Sequence, residues 1–174
     1  MVLQDGLNQD LKKALKFALA GDFTNSFHIM ATLSLDSLNS TELFSFHDWM
    51  ASFNFLRGDL EKCFWHLTQL LDTNIPSSNT FVKMALVHLE NSNINEAVQI
   101  LEKAEDISFQ NPSFYCYRGD ILALSGNLVA AIEDFHHALK LKDDFIIVMC
   151  RNARCLVNLN RSSEAGKYIS ECLM

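Results

Sequence analysis

Apolar residues recur along the chain at steps of three and four almost throughout. That spacing lines one face of an α-helix, and no stretch reads as a strand. With only two prolines in 174 residues, little interrupts the helices. The pattern predicts an all-α protein, and it also repeats. Four windows of 34 residues, begun at Phe44, Ser78, Pro112 and Ile146, superimpose without a gap.

Each column of the superposition has one physical character. The eighth position holds Ala51, Ala85, Gly119 and Ala153, and the twentieth holds Cys63, Ala97, Ala131 and Ala165, small residues of the kind two helices need where they cross closely. Position 24 holds Leu67, Leu101, Phe135 and Ile169, large enough to fill the space between a pair, and position 27 holds Leu70, Ala104, Ala138 and Cys172. Position 15 holds Gly58, Ser92, Gly126 and Asn160, turn residues of which Gly and Asn tolerate the left-handed conformation that ends a helix. With Gly21 as a further turn, Ala14, Phe17, Ser26, Met30 and Leu33 enter the same columns, and three extra residues around Leu38 to Ser40 separate this stretch from the next.

A helix, a short turn and a second helix, repeated every 34 residues, resemble the tetratricopeptide repeat (TPR) family. The segment from Asn111 to Asp144 carries most of that family's pattern, at Tyr115, Gly119, Leu122, Gly126, Ala131, Ile132, Phe135, Ala138, Leu139 and Leu141; Asp143 stands where the family usually has proline. The resemblance implies an all-α, right-handed superhelical solenoid of about five helix-turn-helix units. These form one domain over 1–174, with units at approximately 7–40, 44–77, 78–111, 112–145 and 146–174. In such arrays the first helices line a concave face that takes an extended or helical peptide. The corresponding residues are Asp48, Trp49, Ser52 and Phe55, then Val82, Lys83, Leu86 and Leu89, then Cys116, Tyr117, Asp120 and Ala123, then Cys150, Arg151, Arg154 and Val157. Of these, Asp48, Trp49, Ser52, Lys83, Leu86, Tyr117, Asp120, Arg151 and Arg154 are the candidate groove residues, with Trp49 and Tyr117 as apolar anchors and the arginines free to pair with a carboxylate. TPR co-chaperones that clamp a chaperone's C-terminal carboxylate carry Lys and Asn at positions 5 and 9 of their first unit. Leu11 with Leu15, Asp48 with Ser52, Val82 with Leu86, Cys116 with Asp120 and Cys150 with Arg154 do not fit that clamp.

Composition narrows the function. Apolar residues make up 49% and charged residues 20%, which excludes a disordered chain. Fourteen basic against 21 acidic residues give a formal charge of −7, which disfavours nucleic acid and anionic lipid as partners and points to proteins. The longest apolar run, Phe145 to Cys150, is far short of the roughly 20 residues a membrane span needs, so a soluble, cytoplasmic protein is expected. Five cysteines without CxxC spacing suggest a reducing compartment rather than a disulfide framework or zinc ribbon. No phosphate-binding glycine loop, HExxH or GxSxG motif occurs, so no enzyme activity, cofactor or metal is expected. His136, His137, Cys150 and Cys155 read as exposed imidazoles and packed thiols rather than metal ligands, and His88 as a hydrogen-bonded core histidine.

Two narrower resemblances concern the partner. The run from Phe81 to Leu173, through TFVKMALVHLENSNINEAVQILEKA and the Tyr115, Arg118 and Gly119 of SFYCYRGD, resembles the TPR units of the seventy-kilodalton import receptor of the mitochondrial outer membrane. That implies a receptor or adaptor for precursor polypeptides at the cytosolic face of that membrane. A reduced form or only the precursor-binding part is expected, since neither the membrane anchor nor the clamp domain has a counterpart in the sequence. The alternative is the small acidic TPR chaperone of type III secretion, which holds translocator segments. Its first unit would be Leu43 to Leu71, and the nearest approach to its Ala-Glu-Cys signature is Ala153, Arg154 and Cys155. A scaffold subunit of another complex is a third reading. The last helix leaves Ile169, Cys172 and Leu173 uncapped, an edge that a homodimer or another partner is expected to cover.

Overall fold

A computed structural model describes residues 8–72, 77–108 and 110–172. The described residues are helical and contain no strand. They form α1 (Gln9–Leu19) and α2 (Phe23–Ala31), α3 (Ser40–Leu56) and α4 (Leu60–Leu71), α5 (Ser78–Glu90) and α6 (Ile94–Lys103), a single turn α7 (Glu105–Ser108), α8 (Pro112–Leu124) and α9 (Leu128–Leu141), and α10 (Ile146–Asn158) and α11 (Ser162–Cys172). Each helix pair lies within one 34-residue window or its upstream equivalent, except that α3 begins at Ser40, four residues ahead of the window that starts at Phe44. The pairs belong to two compact bodies, Met1–Pro76 and Ser77–Met174. No described helix is long and apolar enough to cross a membrane.

All five pairs are joined by the same turn. Gly21, Gly58, Ser92, Gly126 and Asn160 have φ values of 82°, 74°, 61°, 85° and 59°, the left-handed conformation. The N–H of the following residue reaches back five residues along the chain to close the first helix. Asp22 bonds the carbonyl of Phe17 at 2.9 Å, Asp59 that of Asn54 at 2.9 Å, Asn93 that of His88 at 2.8 Å, Asn127 that of Leu122 at 2.9 Å and Arg161 that of Leu156 at 2.9 Å. The same residue also opens the second helix, where the Asp22, Asp59 and Asn127 side chains accept from the N–H three residues on. One two-residue step thus satisfies backbone groups at both helix ends and fixes the angle between the pair.

The small columns lie at the crossings. Ala51, Ala85, Gly119 and Ala153 are buried, as are Cys63, Ala97, Ala131 and Ala165. The one pair with Phe rather than Leu or Ile at position 24 is also the one with Gly rather than Ala at position 8. A methyl group on Gly119 would lie 2.6 Å from Cε1 of Phe135, closer than side chains approach one another. The ring of Phe135 occupies the place of the missing methyl.

In the first body, Leu11, Ala14, Leu15, Met30, Phe46, Met50 and Phe53 share a core. Its start is tied by Asn39 and Glu42, which cap each other at the entrance to α3, while the Glu42 carboxylate also accepts from the Asn8 N–H. In the second body one core runs from Val82 through Phe114, Ile121 and Phe135 to Leu156 and Ala165, with α8 packed on α5 and α6, and α10 packed on α8 and α9. In the last pair Ile169 is 49% exposed, unlike its buried counterparts Leu67, Leu101 and Phe135, and Cys172 is half-buried. Leu173 lies outside the described residues.

Alanine at an exposed helix position stabilises by about 1 kcal/mol over glycine, but at Gly119 it must push Phe135 aside. Gly119→Ala is therefore expected to lower unfolding free energy by about 1–3 kcal/mol in denaturant titration, and Phe135→Leu in the same chain to recover at least half of the loss. A neutral or stabilising Gly119→Ala would show that the helices do not approach so closely.

Candidate functional site

In the second body, the predicted groove residues occupy the first helices α5, α8 and α10. The face is built unevenly. Val82 and Cys116 are buried, Lys83 and Leu86 are half-buried, Tyr117 is 40% exposed and Arg154 is exposed. Arg151 of α10 reaches across to α8, where its Nη1 donates to the Asp120 carboxylate and lies 2.9 Å from Cys116 Sγ. The pair is partly sheltered: burial pushes the Asp120 carboxyl up, against the opposing pull of Arg151 and Arg154, and burial also pushes up the Cys116 thiol. The expectation that both arginines are free for a partner is thus corrected at Arg151, which braces α10 against α8. Arg154 is different. It forms no ion pair with any described residue, and stands exposed near a carboxylate already engaged by its neighbour.

In the first body, Asp48, Trp49 and Ser52 are half-buried on α3. The Ser52 hydroxyl donates to the Asp48 carbonyl at 2.9 Å, and the Trp49 ring packs 6.0 Å from that of Phe53. These three are embedded in their own helix and core more than the exposed Tyr117 and Arg154 are.

Arg118, part of the Tyr115, Arg118 and Gly119 signature that carried the narrower resemblance, serves the fold. Its Nε and Nη2 each lie 2.7 Å from an oxygen of Asp134 on α9, Glu105 of α7 accepts from its Nη2 at 3.3 Å, and its guanidinium sits 5.4 and 5.3 Å from the rings of Phe114 and Tyr115. Burial works against the charge of both partners, pushing the Asp134 carboxyl up, while the paired hydrogen bonds hold the guanidinium's proton more firmly than usual. Tyr115 also stacks on His137 at 4.0 Å, and His136 on Tyr168 at 6.0 Å. Among the described residues no three His, Cys, Asp or Glu side chains converge where a metal could sit.

A polar pair that column reading misses lies in the second helix pair. His47 of α3 and His66 of α4, 6% and 7% exposed, face each other with Nδ1 atoms 3.0 Å apart, against the rings of Phe46 and Trp65. One Nδ1 must donate and the other accept, so the bond exists only while at least one ring is neutral. Burial lowers the pKa of both, and with the charge of His47 added His66 falls to about 4.

Comparison with known proteins places this geometry. No protein-family model matches the sequence, and no curated protein matches it. Solved structures match the fold throughout. A crystal structure of MamA superimposes with a TM-score of 0.75 at 17% identity, covering 99% of this chain and 95% of that one. MamA from Desulfovibrio magneticus RS-1, from residue 41 to its end, gives 0.77 at 13% identity over 99% and 96%. YrrB, described as a TPR protein with an unusual peptide-binding site, gives 0.67 at 12% identity over 94% and 83%. The fold is that of a TPR protein.

The histidine pair makes the TPR array sensitive to acid. Because the folded pKa of His66 lies below the usual 6.5, the unfolded chain binds the proton more readily, and stability present above pH 6.5 is lost as pH falls towards 4. The expected loss between those limits is up to about 3 kcal/mol. His66→Phe should flatten this part of the profile of melting temperature against pH, whereas an unchanged slope in that variant would assign the acid response elsewhere.

Proposed function

We propose that this chain is a non-enzymatic binding module that takes a polypeptide segment on the first-helix face of its second body, across α8 and α10. The observation that carries the reading is the exposed Arg154, without an ion-pair partner among the described residues, on the face that also exposes the Tyr117 ring. A cation next to an aromatic surface matches a peptide with a carboxylate and an adjacent apolar side chain. The Arg151–Asp120 pair holds the two helices at the spacing the ligand meets, so the face is pre-organised rather than assembled on binding. Lys83 and Leu86 on α5 extend the same surface, while Asp48, Trp49 and Ser52 form the corresponding stretch of the first body.

The fold supports this reading, as does the peptide-binding site named for YrrB. The identity of the segment is a narrower matter. A mitochondrial precursor and a secretion translocator follow from the sequence resemblances alone, and a subunit of a larger complex fits the same face.

Arg154→Ala with Tyr117→Ala is expected to weaken binding of acidic, apolar peptides at least tenfold in a fluorescence-polarisation titration of a peptide library, with far-ultraviolet circular dichroism unchanged. Arg151→Ala is a poorer probe because it also strands Asp120. Retention of full affinity in the double variant would move the ligand off this face.

A further inference from the structure

Two cysteines from unrelated columns of the repeat meet in the last helix pair. Cys150 lies in α10 and Cys172 at the end of α11, and their Sγ atoms are 3.5 Å apart, in van der Waals contact. Access separates them from the other thiols: Cys63, Cys116 and Cys155 are buried, whereas Cys150 is exposed and Cys172 half-exposed. Among the described residues no third His, Cys, Asp or Glu joins them to form a metal-ligating group. A disulfide needs the sulfurs to close to about 2 Å.

The geometry points to Cys150 and Cys172 as a reversible disulfide site, oxidised by exchange with a low-molecular-weight disulfide such as oxidised glutathione. Cys150 attacks first because it is the exposed thiol; burial and the neighbouring thiol push the Cys172 thiol up. The Cys150 thiolate bonds to one glutathione sulfur, the glutathione S–S bond breaks, and the first glutathione leaves as a thiolate that takes a proton from water. The Cys172 thiolate then bonds to Cys150 Sγ and expels the second glutathione in the same way. Two protein thiols lose two electrons and two protons, and one glutathione disulfide becomes two glutathiones.

The bridge has a structural consequence because of where it lies. The helix α11 rests chiefly on α10, and helices with few packing neighbours open more readily than those of the core. Joining Cys172 to Cys150 clasps α11 to α10, and it does so at a residue of the same first-helix column as the proposed binding face. This inference does not depend on the peptide-binding reading.

The test is to incubate the full chain with oxidised glutathione and follow intact mass, peptide maps and amide hydrogen exchange. The expected product has lost two hydrogens, yields a Cys150–Cys172 linked peptide, reverts with dithiothreitol, and exchanges the α11 amides roughly tenfold more slowly. In Cys172→Ser, a single glutathione should remain on Cys150 with no internal bond. A glutathione adduct persisting on Cys150 of the natural sequence, links through Cys63, Cys116 or Cys155, or no modification would overturn the assignment. A Cys150–Cys172 bond that leaves α11 exchange unchanged would overturn the clasp.

Discussion

The close crossing of two helices over a small residue is the constraint on which the rest depends. Ala51, Ala85, Gly119 and Ala153 are buried, as are Cys63, Ala97, Ala131 and Ala165, and the space beside such small residues must be filled by a side chain of matching volume. Gly119 and Phe135 show that volume is conserved across the pair rather than at a position. The turn completes the constraint. A left-handed residue followed by a residue that closes one helix and opens the next leaves little freedom in the crossing angle, and five turns of one type produce five pairs of one type.

With crossings so defined, charge is used in two ways on the two sides of α8. Arg118 turns inward to Asp134 and Glu105 and holds α7, α8 and α9 together. Arg151 joins α10 to α8 through Asp120 on the candidate binding face. Both are interactions whose removal from one side would strand a sheltered charge, which makes them part of the scaffold. Arg154, one turn beyond Arg151, has the same charge and no ion-pair partner among the described residues, and that difference is why it, rather than Arg151, is the proposed recognition residue.

Much of the fold is legible in the sequence because the features that determine it are local and recur. Gly21, Gly58, Gly126 and Asn160 can be recognised as turn residues from their type, and Ser92 from its column. The small columns are legible for the same reason. The site is legible only in part. Column position identifies Tyr117 and Arg154 as residues of the first-helix face, but whether Arg151 is free depends on Asp120 in a different repeat. The contact between His47 and His66, and that between Cys150 and Cys172, join columns with no shared chemistry, so no periodicity reports them. Arg118 is a further case: its column does not reveal its role, which comes from Asp134 on the partner helix and Glu105 on a single turn that the repeat pattern does not predict.

If the chain is built of equivalent pairs that contact mainly their neighbours, removing one complete pair should leave a register in which the remaining helices still meet. Excision of residues 112–145, one full 34-residue period, tests this directly when compared with excision of half that length. The account predicts that the full-period deletion keeps the helical circular dichroism per residue and melts cooperatively at a lower temperature, while the half-period deletion loses both. Equal loss of structure in the two deletions would contradict it, because the 34-residue period would then not be the unit from which the fold is built.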